Sequence, residues 1–206
     1  SILGSTGSIG QTVLKIVNKR RSLFKVNILA ANRNYKLICK QIIKFKPKVF
    51  LINNHLIFLK VKKKFKQKNI KIIRNFEYKK KFYKKSDITV AAIPGIAGLY
   101  PTLELIKTSK KILIANKESI ICGWNLIKKA ASINKTKIVP VDSEHFSIMK
   151  LLENSNIKDV KKIYLTASGG PFLKFNYKDL QKVKPNQAIK HPKWKMGKKI
   201  SVDSAT

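Results

Sequence analysis

Asp142 and Glu144 stand two residues apart in "KIVPVDSEH", at the end of an apolar run, with His145 next. They are two of only ten acidic residues in a chain that carries 45 Lys plus Arg. If the strand begun by the apolar run continues, alternate residues project to one side and the two carboxylates share a face. Carboxylates so placed repel unless a cation sits between them. Two hard oxygen donors with room for water suit Mg²⁺ or Mn²⁺. The competing reading is a pair of exposed carboxylates neutralised by lysines. His145 reads as a base, as a support for a ligand, or as an ordinary structural histidine. His55 stands alone and is assigned no role.

A second constellation opens the chain. "GSTGSIG", residues 4–10, follows a strand-like "SIL" and leads into the helical "QTVLKIVNKR". Gly4, Gly7 and Gly10 would let the backbone turn sharply and approach a pyrophosphate at a helix N-terminus. The spacing is G-x-x-G-x-x-G rather than the usual G-x-G-x-x-G, so a plain strand-to-helix turn is the alternative. The next apolar run ends in Asn32, Arg33 and Asn34. An acidic residue there would hold a ribose 2′-hydroxyl; a cation pairs instead with a 2′-phosphate, which favours NADP over NAD. A surface arginine is the plain alternative, although only four of the basic residues are Arg.

Further motifs follow apolar strands. "AIPGIAG" (92–98) and "ANKES" (115–119) sit where ligands of open α/β sheets bind, beyond strand carboxyl ends. That places Asn116, Lys117 and Glu118 to meet cofactor and substrate, though Asn-Lys-Glu is equally a helix start. "ASGGPF" (167–172) offers Ser168 and flexible amides for a phosphate or oxyanion. "HPKWKMGKK" (191–199) has little helical pattern and reads as a mobile lid carrying His191, Trp194, Met196 and Gly197, or as an ordinary loop with a buried Trp194. "SVDSAT" (201–206) adds hydroxyls and Asp203.

The elements that must position these residues alternate strand and helix. Strands are expected at "SIL", "FKVNILAA", "KVFLI", "IKIIR", "DITVAAI", "KILIA" and "KIVPV", with helices between several of them. That alternation predicts an α/β, Rossmann-like, doubly wound parallel sheet with helices on both faces. After a domain boundary near residue 140, a helix near 146–153 and a strand at "KKIYLTA" would begin an α+β catalytic domain. The organisation expected is thus a nucleotide domain over 1–140 and the start of a catalytic domain over 141–206. The strand-like start and the polar motif at Thr206 are read as the ends of a piece of a longer chain.

Composition narrows the function. A formal net charge of +35 ordinarily points to nucleic acid or an anionic membrane. Here the charge is nearly all lysine and scattered, as an AT-rich coding bias produces, and a solvated lysine surface accounts for it. A basic RNA-binding module remains the remote alternative, and aromatics interleaved with a basic groove, its signature, are lacking. Cys39 and Cys122 show no disulfide or zinc spacing and fit a reducing compartment. The apolar window 88–106 contains two Pro, two Gly and Glu104, which argues for a strand, turn and helix over a membrane span.

Taken in order, "GSTGSIG", "ANKES", "PVDSEH", "SGGPF" and "HPKWKMGKKISVDSAT" resemble the 1-deoxy-D-xylulose 5-phosphate reductoisomerase family. The resemblance implies an enzyme dependent on NADPH and Mg²⁺ or Mn²⁺. It would rearrange a ketose phosphate by carbon–carbon cleavage and rejoining, then reduce the aldehyde to 2-C-methyl-D-erythritol 4-phosphate for isoprenoid synthesis. It implies that Thr6, Gly7, Ser8 and Ile9 cradle the NADPH phosphates. Asn32, Arg33 and Asn34 hold the adenosine end, and Asn116, Glu118 and Gly197 complete that site. Lys117, Ser143, Glu144, Ser168, His191 and Ser204 bind the sugar phosphate, covered by Trp194 and Met196. Asp142 and Glu144 become metal ligands, and Lys117 and His191 join them in catalysis. Asn32 stands where the family often has Gly, and a third carboxylate ligand is expected beyond Thr206, so residues 1–206 alone should not turn over. The resemblance further implies a homodimer when full length, in bacterial cytoplasm or plastid stroma, with no nucleic-acid or membrane partner. The runner-up is another NADP-dependent dehydrogenase without isomerisation.

Overall fold

The computed structural model describes residues 1–74, 76, 85–166, 169–193 and 197–205. It divides into two compact units, Ser1–Ser155 and Asn156–Thr206.

The first unit is a seven-stranded sheet, and every pairing in it is parallel. The strands are β1 (Ile2–Leu3), β2 (Ile28–Ala31), β3 (Val49–Ile52), β4 (Lys71–Ile73), β5 (Ser86–Ala91), β6 (Ser109–Ile114) and β7 (Lys137–Pro140). Their order is β4-β3-β2-β1-β5-β6-β7, so the winding reverses beside β1. This is the doubly wound sheet expected from the alternating pattern.

The core explains why these short runs are strands. Ile2, Leu29, Phe50, Ile52 and Val90 turn to one face and pack with Leu14, Ile38, Ile42 and Val61. Those partners lie on helices α1 (Ser8–Lys19), α2 (Tyr35–Phe45) and α3 (His55–Lys64). The alternate residues Leu3, Ala30, Leu51, Ala91 and Ile112 turn to the other face. There they meet Leu105 and Ile106 of α4 (Leu99–Ile106) and Ile127 and Ala131 of α5 (Lys117–Ile133). A strand covered on both faces reads as a continuous apolar run, which is how "KVFLI" and "KILIA" read. The window 88–106 resolves into β5, a Gly/Pro turn and α4. No helix among the described residues is long and apolar enough to cross a membrane.

Beyond β7 the chain stays with the sheet: the Val141 amide donates to Ile114 O at 3.0 Å, and α6 (Ser143–Leu152) follows. The compact units part after Ser155.

The second unit holds the short helices α7 (Tyr177–Leu180) and α8 (Pro185–Ala188), and α9 (Lys198–Asp203). The strand expected at "KKIYLTA" is not formed: residues 161–166 belong to no ladder, and Ile163, Tyr164 and Leu165 are exposed. Its apolar pattern suits a strand, but no neighbouring backbone pairs with it among the described residues.

Candidate functional site

Because all seven strands run the same way, the loops after β1, β2, β5, β6 and β7 leave from one edge of the sheet. Four of the motifs singled out in the sequence are gathered at that edge: residues 4–10, 32–34, 116–118 and 142–145.

The loop after β1 is built around two close approaches. Gly4 has a left-handed φ of +78°, and a Cβ there would lie 2.5 Å from Ala92 O. At Gly10 a Cβ would strike the carbonyl oxygen of Gly4 and sit 2.7 Å from the Ser5 Cα. These two glycines let α1 start directly above β1. The amides of Gly4 and Ser5 both donate to Ala30 O, at 3.0 and 2.8 Å. The helix N-cap is Gly7, which supplies no side-chain cap, and the first turn has no acidic residue. Gly7, Ser8 and Ile9 are exposed. The first amides of a helix lack intrahelical acceptors, and the helix dipole adds partial positive charge. An uncapped, exposed first turn is therefore suited to an anion.

Asn32, Arg33 and Asn34 are exposed after β2. The Asn34 side chain caps α2, accepting from the Leu37 amide at 3.1 Å. After β6, Asn116 is 3% exposed and caps α5, accepting from Ser119 N at 3.0 Å. Its amide nitrogen donates to Gly95 O at 2.9 Å and to Ile93 O. The Asn116 side chain thus ties the β5 loop to the start of α5. Lys117 beside it is exposed, and Glu118 lies in the first turn.

The acidic pair does not sit on a strand. β7 ends at Pro140, and Asp142 is the N-cap of α6, with Glu144 in its first turn. This corrects the expectation of alternate positions on one extended face. The physical reason is capping: Asp142 Oδ1 accepts from the His145 amide at 3.1 Å and meets the His145 ring Nδ1 at 2.7 Å. Burial pushes the Asp142 carboxyl up, but the bonds from the His145 ring and amide outweigh it, and the group ends below the ordinary carboxylate range. It is therefore ionised at neutral pH. Glu144 is exposed and accepts from Ser143 Oγ at 3.2 Å.

In the second unit two motifs meet. A Cβ on Gly170 would strike Ser204 O and the Ala205 backbone, and the Phe172 amide donates to Ala205 O at 2.9 Å. The "SGGPF" turn is thereby clasped to the end of α9, next to Ser204. His191 Nδ1 accepts from the Lys193 amide at 3.2 Å, which in the neutral ring leaves the proton on Nε2. Gly197 is exposed at the start of α9. Ser168, Trp194 and Met196 lie outside the described residues.

Comparison with known proteins decides the family. The family model described as 1-deoxy-D-xylulose 5-phosphate reductoisomerase matches residues 1–123, and that of the same enzyme's C-terminal domain matches residues 138–206. The chain belongs to the 1-deoxy-D-xylulose 5-phosphate reductoisomerase family. Curated relatives of that name include those of Pelagibacter ubique, 48% identical, and Clostridium novyi, 45% identical. Each is matched over 100% of this chain but 54% of its own length, so the chain spans about half of these relatives. The solved reductoisomerase of Zymomonas mobilis in complex with NADPH superposes with a TM-score of 0.84 at 33% identity, covering 99% of this chain and 53% of that one. Another, in complex with NADPH, fosmidomycin and magnesium, gives 0.85 at 30%, with the same shares covered.

Residues that support the loops escaped the sequence reading. Gln41 is 5% exposed and bonded twice to Ser5, and Gln11 Nε2 donates to Thr6 O at 3.0 Å. A signal existed for Gln41: it is a polar residue on the apolar Ile38–Ile42 face of α2.

The chain's own donors suit the groups that this family uses. The exposed, uncapped first turn of α1, with Arg33 in the loop after the neighbouring strand β2 at the same sheet edge, fits a phosphorylated dinucleotide. Asp142 and Glu144 supply hard, anionic oxygens, as Mg²⁺ or Mn²⁺ prefers. Among the described residues no third His, Cys, Asp or Glu completes a metal cluster with them.

Proposed function

We propose that this chain is the nucleotide-binding and acidic-pair portion of an NADPH- and divalent-metal-dependent reductoisomerase. It would convert 1-deoxy-D-xylulose 5-phosphate to 2-C-methyl-D-erythritol 4-phosphate for isoprenoid precursor synthesis. One observation supports this most: an uncapped, exposed helix start sits at the winding reversal of a sheet whose chain matches both models of this family.

Thr6, Gly7, Ser8 and Ile9 would bind the NADPH phosphates through first-turn amides. Arg33 would pair with the 2′-phosphate, flanked by Asn32 and Asn34. Asn116 acts through the backbone it holds in place, because its side chain is already bonded to the protein; Glu118 and Gly197 add contacts. Bound NADPH supplies a hydride, and a bound Mg²⁺ or Mn²⁺ supplies Lewis acidity and a template for adjacent oxygens. Asp142 and Glu144 would hold that metal. His145 orients Asp142, whose Oδ1 it holds through both its backbone amide and its ring. Lys117, Ser143, Glu144, Ser168, His191 and Ser204 would contact the sugar phosphate, with Trp194 and Met196 as cover. Nucleic acid and membranes have no part in this reading. We place the enzyme as a homodimer in a reducing compartment, bacterial cytoplasm or plastid stroma.

The test is NADPH oxidation by the protein encoded by the whole gene, with 1-deoxy-D-xylulose 5-phosphate, with and without Mg²⁺. Turnover that needs both is expected. Reduction of simple aldehydes without this ketose phosphate would favour an ordinary NADP-dependent dehydrogenase instead.

A further inference from the structure

We propose that Gln41, a buried residue with no path to the ligand, is a positioning residue for the nucleotide: it holds the Ser5–Thr6 peptide so that the Thr6 amide faces the dinucleotide phosphates. The proposal rests on the NADPH reading above. Gln41 lies on α2, yet both ends of its carboxamide reach the loop after β1. Its Oε1 accepts from Ser5 Oγ at 2.7 Å, and its Nε2 donates to Ser5 O at 2.8 Å. Both residues are buried, at 5% and 0% exposure.

Peptide planarity gives this consequence. In a trans peptide the carbonyl and the following N–H point in opposite directions. Drawing Ser5 O inward toward Gln41 therefore turns the Thr6 N–H outward. No protein acceptor takes that N–H among the described residues. The neighbouring carbonyls are also occupied: Gly4 O accepts from the Gly7 amide at 3.0 Å, and Thr6 O accepts from Gln11 Nε2. The loop thus has its oxygens bound inward, and oxygens turned outward would repel a phosphate. Gln41 is the one contact among these that comes from another helix. It also links the phosphate loop to α2, whose N-terminus follows Arg33 directly in sequence.

The experiment compares NADPH with adenosine 2′-monophosphate, which carries the adenosine end and its 2′-phosphate but no pyrophosphate. Both are titrated into wild-type protein and into Gln41→Leu. Gln41→Met, unbranched and of similar length, is the second variant should the first fold poorly. Loss of one well-placed donor predicts NADPH affinity weakened about tenfold. Adenosine 2′-monophosphate should change less than about twofold, since its site does not use the Thr6 amide. A merely structural Gln41 would lower the melting temperature and leave this ratio unmoved. Equal weakening of both ligands, or unchanged NADPH affinity in both folded variants, overturns the positioning role. Failure of wild-type protein to bind NADPH overturns the functional reading itself, and this inference with it.

Discussion

Substituting Gly10 by Ala puts a methyl group into the tightest contact of the nucleotide loop. The new Cβ would strike Gly4 O and lie 2.7 Å from Ser5 Cα and 2.9 Å from the Gly4 carbonyl carbon. Carbon contacts are comfortable at about 3.5–4.0 Å. All three obstacles are backbone, so no side chain can rotate away, and α1 must lift from β1. Overpacking of this kind costs about 1–3 kcal/mol, with the upper end expected against backbone. Ala gains about 1 kcal/mol over Gly in a helix, so the net loss is about 2 kcal/mol. For a chain of this size that lowers the melting temperature by about 4–8 °C. The control is Gly7→Ala. Its φ is −75°, and its Cβ would meet only Gly4 O, at 3.3 Å. Stability should then fall by only about 0.5–1 kcal/mol, the cost of Ala for Gly at an N-cap. Thermal unfolding by circular dichroism measures the first quantity, and NADPH titration the second. Lifting α1 moves the first-turn amides, so Gly10→Ala should also weaken NADPH. A Gly10→Ala protein that melts with wild type and binds NADPH equally well would refute the close-approach argument.

Arg33→Asp should weaken NADPH by roughly ten- to a hundredfold while NADH changes little, because a charged contact is worth about 1.5–3 kcal/mol; parallel titrations check this, and equal losses would count against it. Asp142→Asn should keep the α6 cap, since Asn caps helices as well as Asp, but should strip metal affinity and turnover; calorimetry with Mn²⁺ beside a melting curve separates the two. Asn116→Ala should cost about 2–3 kcal/mol, because it removes a helix cap and leaves the carbonyls of Ile93 and Gly95 without their donor; denaturant unfolding reads the loss, and a change below the scatter of surface substitutions would show that the buried amide does not hold the loop.

The sheet was legible because burial on both faces leaves a plain trace. Runs such as "KVFLI" need no alternation to be strands when helices cover both sides, and the Gly/Pro turn at 94–98 separated β5 from α4. "KKIYLTA" carries the same trace and forms no strand. Pattern states that a segment is apolar and extended; it does not supply the partner backbone that turns extension into a ladder.

The acidic pair shows a different limit. Reading Asp142 and Glu144 as alternate strand positions required β7 to run on, and Asp142 itself stops it. An Asp followed by a helical stretch is a helix-start signal, and the side chain accepts from the third amide along, His145. The same atoms that made the pair look like ligands thus also set the geometry in which they would act. Capping leaves a measurable mark on the chemistry. One Asp142 oxygen is bound to His145 twice, and those bonds draw the carboxyl below the ordinary carboxylate range despite its partial burial. The residue is then anionic without help from a cation. That differs from two bare carboxylates needing metal to relieve repulsion. The Asp142 cap should accordingly persist in metal-free protein, so removing metal from the enzyme should abolish activity while leaving the α6 helix and the melting temperature nearly unchanged. A large fall in melting temperature on chelation would show that the metal, rather than the His145 cap, holds Asp142 in place.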